Sequence, residues 1–195
     1  VMGLRAENQG DPDIDTMLVH HQQYVEALEG AGVSVTVLDA LEEFPDSLFV
    51  EDTALCLPEV AVVLRPGAPT RAGESAAMAP ALASVYSTVI ELVGPGTIEG
   101  GDILTTGREV LVGLSERTTL AGVEELSKAL APWGYSVRGV ETPAGVLHFK
   151  TESSLLDDTT ILATRQLADS GAFEGYTVVE VQPGEEAAAN SIRVN

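Results

Sequence analysis

Phe44-Pro45-Asp46-Ser47-Leu48-Phe49-Val50-Glu51-Asp52 and Pro95-Gly96-Thr97-Ile98-Glu99-Gly100-Gly101-Asp102 are the two stretches from which the rest of the chain is read. Each sets carboxylates among Pro and Gly at the edge of a strand-like apolar run, not along a solvated helix face. Like charges crowded in this way are costly in a folded protein unless a cation neutralises them. The first expectation is therefore a cationic ligand.

Working outward, the same order of elements recurs around both stretches. Before the first, Asp11-Pro12 reads as an N-cap and first-turn proline, with Ile14, Leu18, His21, Val25 and Leu28 as the apolar stripe of a helix closed by Gly30 and Gly32. Val33 to Leu38 alternates at period two and reads as a strand. Thr53 to Leu57 and Val60 to Leu64 are two more strands, followed by a helix over residues 70–84. Ser87 to Leu92 then reads as a strand, and the second acidic loop leads into strands near 102–105 and 109–113 and a helix from Thr118 to Leu130. Pro132 and Gly134 close that helix. Tyr135 to Val140, strands near 147–155 and 160–163, a weak helical signal after Thr164, and Tyr176 to Val181 continue the pattern. Asp52, Asp102, Thr151 and Asn190 mark equivalent loop-to-strand junctions, spaced by roughly 40–50 residues, a period typical of repeat architectures. Such units cannot bury both faces alone, so they are expected to pack about a common axis and bring their junction loops to one central pocket.

The composition is globular, with 45% hydrophobic residues over 195 positions, enough for one domain. The formal charge is −20 and Lys128 and Lys150 are the only lysines. A nucleic-acid partner is not expected, because phosphate binding needs a basic surface. No apolar run is long enough to span a membrane and no signal-peptide layout opens the sequence. One cysteine, Cys56, excludes an internal disulfide and fits a reducing, cytoplasmic setting. Inside Ala54-Leu55-Cys56-Leu57 it reads as a buried, inert hydrophobe. Beginning at Val1 and stopping within an apolar alternation at Asn195, the chain reads as a single domain, 1–195, lacking pieces at both ends.

Asp52 and Glu99 are the leading pair, since carboxylates from two repeats can clamp one guanidinium fork; a structural link to buried backbone or arginine is the alternative. Asp46 and Glu51 either support the same cation or cap their loop. His148, in Gly145-Val146-Leu147-His148-Phe149-Lys150-Thr151, sits at an equivalent strand edge and suits proton transfer beside acids, against the alternative of a core histidine. Arg71 and Arg117 occupy matching helix starts and suggest a carboxylate-binding fork, or else surface ion pairs. No metal-ligand cluster or phosphate-cradling loop is apparent, so neither metal nor cofactor is expected.

The segments Phe44–Asp52 (FPDSLFVED), Arg65–Glu74 (RPGAPTRAGE), Pro95–Asp102 (PGTIEGGD), Ser115–Thr118 (SERT), Leu147–Thr151 (LHFKT) and Ala188–Asn195 (AANSIRVN) together resemble the dimethylarginine dimethylaminohydrolase family of guanidino-group-modifying enzymes. The resemblance implies a pentein-type α/β-propeller of pseudo-symmetric ββαβ repeats, here incomplete at both ends. It implies that Asp52 and Glu99 hold a substrate guanidinium, that Phe49 lines the site, and that Arg71 and Arg117 take the amino-acid carboxylate. Asp46 and the backbone of Leu4 would lie near the α-amino group, with Glu51 in support. His148 would protonate the leaving dimethylamine and then activate water. The family's nucleophilic cysteine has no counterpart in the sequence, so the segment alone is expected to be inactive while the complete polypeptide hydrolyses dimethylarginine to citrulline. The partner implied is a small guanidino substrate, and a homodimer is compatible with the family. An arginine deiminase or amidinotransferase-like enzyme acting on another guanidine, and a non-catalytic binding module on the same fold, are the rival readings.

Overall fold

The structure, a computed structural model, describes residues 10, 12–107 and 109–194. The chain divides into two compact units, Val1–Asp46 with Val194–Asn195, and Ser47–Arg193.

The smaller unit is built on helix α1 (Ile14–Gly30), whose N-cap is Asp13, accepting from Thr16 N at 3.1 Å. The expected cap Asp11 lies outside the described residues, and the capping role falls two residues later. Of the stripe read from the sequence, Val25 is buried while Ile14 and Leu18 are more than half exposed. Gly32, at φ +89°, takes the left-handed conformation that ends the helix turn. The strand expected at Val33 to Leu38 is not formed: the segment pairs with no described strand. Period-two alternation specifies which face a residue occupies, but a strand also requires a ladder partner.

The larger unit contains the repeat. A 3₁₀ turn (Val50–Thr53) leads into β1 (Ala54–Cys56), β2 (Ala61–Val63), α2 (Glu74–Val85) and β3 (Val89–Glu91). A second turn (Gly100–Asp102) leads into β4 (Ile103–Thr106), β5 (Glu109–Leu114), α3 (Leu120–Leu130) and β6 (Ser136–Glu141). The third turn (Phe149–Thr151) leads into β7 (Ser153–Asp157), β8 (Thr160–Ala163), the short α4 (Arg165–Ala168) and β9 (Thr177–Glu180), after which a fourth turn spans Glu186–Ala189. Each sheet is ordered as in the chain, with an antiparallel hairpin and then a parallel strand joined through the helix. The strand expected over 147–155 begins only at Ser153, because 149–151 are wound into the turn.

The middle sheet explains the packing. Val110, Leu111 and Val112 on β5 have no exposed surface. Val110 and Val112 face the cluster shared with Val60, Val62 and Ile98 of the first repeat, whereas Leu111 faces Phe149, Ile161 and Leu167 of the third. A strand buried on both faces reads as a continuous apolar run rather than an alternation, and each such side chain contributes about 1.5–3 kcal/mol through burial. The first sheet is different. β1 is an edge strand in which Leu55 turns inward and Cys56 outward, so Cys56 is exposed, contrary to the buried position expected from its apolar neighbours.

Successive 3₁₀ turns touch one another along the chain of repeats: first with second, second with third, third with fourth. This stacking brings the junction loops together. No helix among the described residues is long and apolar enough to cross a membrane.

Candidate functional site

Equivalent positions on consecutive turns supply the chemistry. Phe49, Glu99 and His148 are the N-cap residues of the first, second and third turns. Asp52 and Asp102 are the third residues of the first and second. The last two act as connectors: Asp52 Oδ1 accepts from Gly101 N at 2.8 Å, and Asp102 Oδ1 accepts from Phe149 N at 3.0 Å. Each carboxylate thus ties its own turn to the next, the local reason the cluster is held together.

Two glycines make that approach feasible. A Cβ on Gly100 would stand 2.0 Å from the Glu51 carbonyl oxygen, and one on Gly101 would lie 2.8 Å from Asp52 Oδ1 and 2.9 Å from His148 Cγ. Any side chain at either position would push apart the groups that meet there.

Asp52, Glu99 and His148 come together, with one nitrogen or oxygen of each lying within 4.8 Å of the others. Glu99 is fully buried; its Oε1 accepts from Gly67 N (2.9 Å) and Ala68 N (3.1 Å), while Oε2 lies 3.5 Å from both Arg117 Nη1 and His148 Nε2. The other ring nitrogen, Nδ1, stands 3.4 Å from Asp102 Oδ1 but is not aligned as a hydrogen bond. Burial of the ring acts to lower the His148 pKa, but Asp102, with Asp52 and Glu99, outweighs it and leaves the pKa raised. Asp102 is not among the site residues expected from the sequence; its equivalence to Asp52 in the repeat is the signal that points to it. Its second oxygen accepts from Ser115 Oγ (2.8 Å) and Thr118 Oγ1 (2.6 Å).

Arg71 differs from expectation. It is buried, with Nη1 on Asp52 Oδ2 at 2.5 Å, Nη2 on the Phe49 carbonyl at 2.9 Å, and Nε and Nη2 on Glu74 Oε2 at 3.0 and 2.7 Å. Four of its five donor directions are spent within the protein, so it does not present the open fork expected for a carboxylate. Desolvation works against its charge, yet Glu74 and Asp52 together raise its pKa. Arg117 is the more exposed of the two arginines. Phe49 is 60% exposed, and Glu51 pairs with Lys150 at the rim of the turns. Asp46 lies in a turn of the smaller unit, and Leu4 lies outside the described residues.

Asp52, Glu74, Glu99 and Asp102 are all buried, against one buried guanidinium, Arg71, among the described residues. This surplus of negative charge suits a cationic guest. Carboxylate oxygens are hydrogen-bond acceptors, so these surroundings suit a cation that offers N–H groups.

The arginine deiminase family profile matches residues 42–140. The chain is 35% identical over its whole length to N(G),N(G)-dimethylarginine dimethylaminohydrolase of Pseudomonas aeruginosa, covering 77% of that protein. Against the Streptomyces coelicolor protein of the same name it is 38% identical, with 75% of this chain and 56% of that one aligned. An uncharacterized protein of Aeropyrum pernix, also 38% identical, aligns over 63% of its own length, so the chain spans less than two thirds of these last two relatives. Among solved structures, a cysteine-to-serine variant of the Pseudomonas enzyme complexed with citrulline superposes with a TM-score of 0.93 at 35% identity, covering 99% of this chain and 76% of that one. The N-terminal domain of ArgZ, a cyanobacterial arginine dihydrolase, shares the fold at a TM-score of 0.79 and 21% identity.

Proposed function

We propose, because this chain belongs to the dimethylarginine dimethylaminohydrolase family, that it is the substrate-holding part of a hydrolase converting NG,NG-dimethyl-L-arginine and water to citrulline and dimethylamine. The family's pentein-type α/β fold supplies the frame. The observation that carries the reading is the convergence of buried Asp52 and Glu99 with half-buried His148 from three successive junctions, in surroundings with more carboxylates than cations.

In this reading Asp52 and Glu99 accept N–H bonds from the substrate guanidinium and hold its central carbon in line for attack, and positioning is a large share of the rate gain. A cysteine thiolate adds to that carbon. The C–N bond to dimethylamine then breaks as His148 delivers its proton to the leaving nitrogen, giving a thiouronium. His148, now neutral, takes a proton from water, and the resulting hydroxide adds to the same carbon. The C–S bond breaks as the new hydroxyl gives its proton to solvent, releasing citrulline and restoring the thiolate. Asp102 orients the imidazole by its approach to Nδ1, and Arg117 meets the α-carboxylate. Phe49 lines the entrance and Glu51 supports the rim. Cys56 does not serve as the nucleophile: it faces outward at the end of β1, and desolvation by its neighbours raises its thiol pKa, the opposite of what thiolate attack needs. The reading therefore needs its thiol from the whole polypeptide.

The test is product analysis with the whole polypeptide: citrulline and dimethylamine formed in equal amounts from dimethylarginine. A folded enzyme that releases neither overturns the assignment. An arginine deiminase-like reaction is the second reading, favoured by the match of residues 42–140 to that family profile. It predicts faster release of ammonia from arginine than of dimethylamine from the methylated substrate.

A further inference from the structure

A guanidinium of the protein itself sits on Asp52. Arg71 Nη1 holds Asp52 Oδ2, the carboxylate assigned above to the substrate's guanidinium. A substrate with the same head group must therefore share that oxygen or displace Arg71 from it.

Glu74, the first residue of α2, is the group to which Arg71 can retreat. Its side chain is buried, and a single oxygen, Oε2, receives both Arg71 Nε and Nη2. The other oxygen, Oε1, is buried and has no hydrogen-bond partner among the described residues. A carboxylate meeting an arginine normally takes one N–H on each oxygen. Here both arrive on one, leaving the second with the full cost of an unsatisfied buried acceptor. A small shift of Arg71 away from Asp52 would convert this arrangement into a two-oxygen fork.

We infer that Glu74 is a positioning residue, which takes Arg71 into a two-oxygen ion pair when a guanidinium ligand replaces Arg71 on Asp52. The inference deepens the proposed function and rests on it. Charge balances at each stage. In the structure Arg71 is shared by Asp52 and Glu74. In the complex the ligand pairs with Asp52 and Arg71 pairs with Glu74. Without the Glu74 charge, a displaced Arg71 would be left buried with no counter-ion, so a cationic ligand could bind only against that cost. A neutral ureido ligand imports no charge and does not need Arg71 to leave.

The test compares calorimetric affinities of the chain and its Glu74→Gln variant for NG,NG-dimethyl-L-arginine and for L-citrulline. The variant is expected to lose about tenfold more affinity for the cation than for citrulline, the scale of one charge-assisted contact. Glu74→Asp, which keeps the charge, should preserve more of the preference. Equal losses for the two ligands would mark Glu74 as merely structural and overturn the inference, as would an unchanged ratio. If the Gln variant fails to fold, the Arg71 Nε resonance of the wild type is followed by nitrogen-15 NMR. Movement with dimethylarginine but not with citrulline supports the latch, and equal movement with both refutes it. Wild-type protein that binds neither ligand would instead remove the functional reading itself.

Discussion

Replacing Asp102 by Asn changes one atom and should cost far more than its size suggests. Asp102 accepts three hydrogen bonds, from Phe149 N, Ser115 Oγ and Thr118 Oγ1. An Asn can keep the first on its carbonyl oxygen, but its amide nitrogen then faces two hydroxyls. Ser115 Oγ already accepts from Arg117 N (3.0 Å) and Thr118 N (3.1 Å), so both its lone pairs are filled and it can only donate. Thr118 Oγ1 accepts from Glu99 N at 3.1 Å and has one lone pair to spare. Donor therefore meets donor at Ser115, and two bonds to a charged acceptor are lost, each worth about 1.5–3 kcal/mol. Allowing for coupling between neighbours, Asp102→Asn is expected to destabilise the fold by about 3–5 kcal/mol. In urea, with a slope of about 2 kcal/mol/M, the unfolding midpoint monitored by circular dichroism should fall by about 2 M. A midpoint within about 0.3 M of wild type, equivalent to roughly half a kcal/mol, would refute the claim that this network is closed to a donor.

Gly100→Ala should destabilise by several kcal/mol, because its methyl would meet the Glu51 carbonyl at 2.0 Å, whereas Gly107→Ala, with open space but φ +48°, should cost only about 1 kcal/mol in thermal unfolding; equal costs would show that the turn contact is not tight. His148 has a raised folded-state pKa, so the stability it supplies as imidazolium is fully present below its unfolded pKa of about 6.5 and fades as pH rises through the folded value. The stability gap between wild type and His148→Gln should therefore be wider at about pH 5.5 than at about pH 8.5 in urea titrations, and a gap that grows with pH contradicts the acidic surroundings assigned to the ring. Cys56→Ser should leave calorimetric binding of L-citrulline unchanged, since Cys56 faces outward at the end of β1; loss of binding would place Cys56 in the site.

Much of this fold is legible in the sequence because the repeat is written in turn chemistry. Both Gly100 and Gly101 and the acids beside them mark a junction that the structure winds into a 3₁₀ turn, and β8 falls at 160–163 as its apolar run indicates. What is not legible depends on partners rather than patterns. Val33 to Leu38 alternates like a strand yet has no ladder among the described residues. Cys56 sits in an apolar run, but among the described residues its strand pairs on one side only, and the alternation of that strand turns it outward. Arg71 stands out in the sequence by its helix-start position, but its guanidinium belongs to Asp52 and Glu74, one of them 19 residues away, a pairing that no local spacing encodes. For Asp102 the repeat marks the junction, but its approach to His148, far along the chain, is a contact that no local spacing encodes.

The decisive experiment is a crystal structure of the chain with L-citrulline. The ureido group is expected between Asp52 and Glu99, with the α-carboxylate toward Arg117. Density for the ligand at any location that leaves both carboxylates untouched would contradict it.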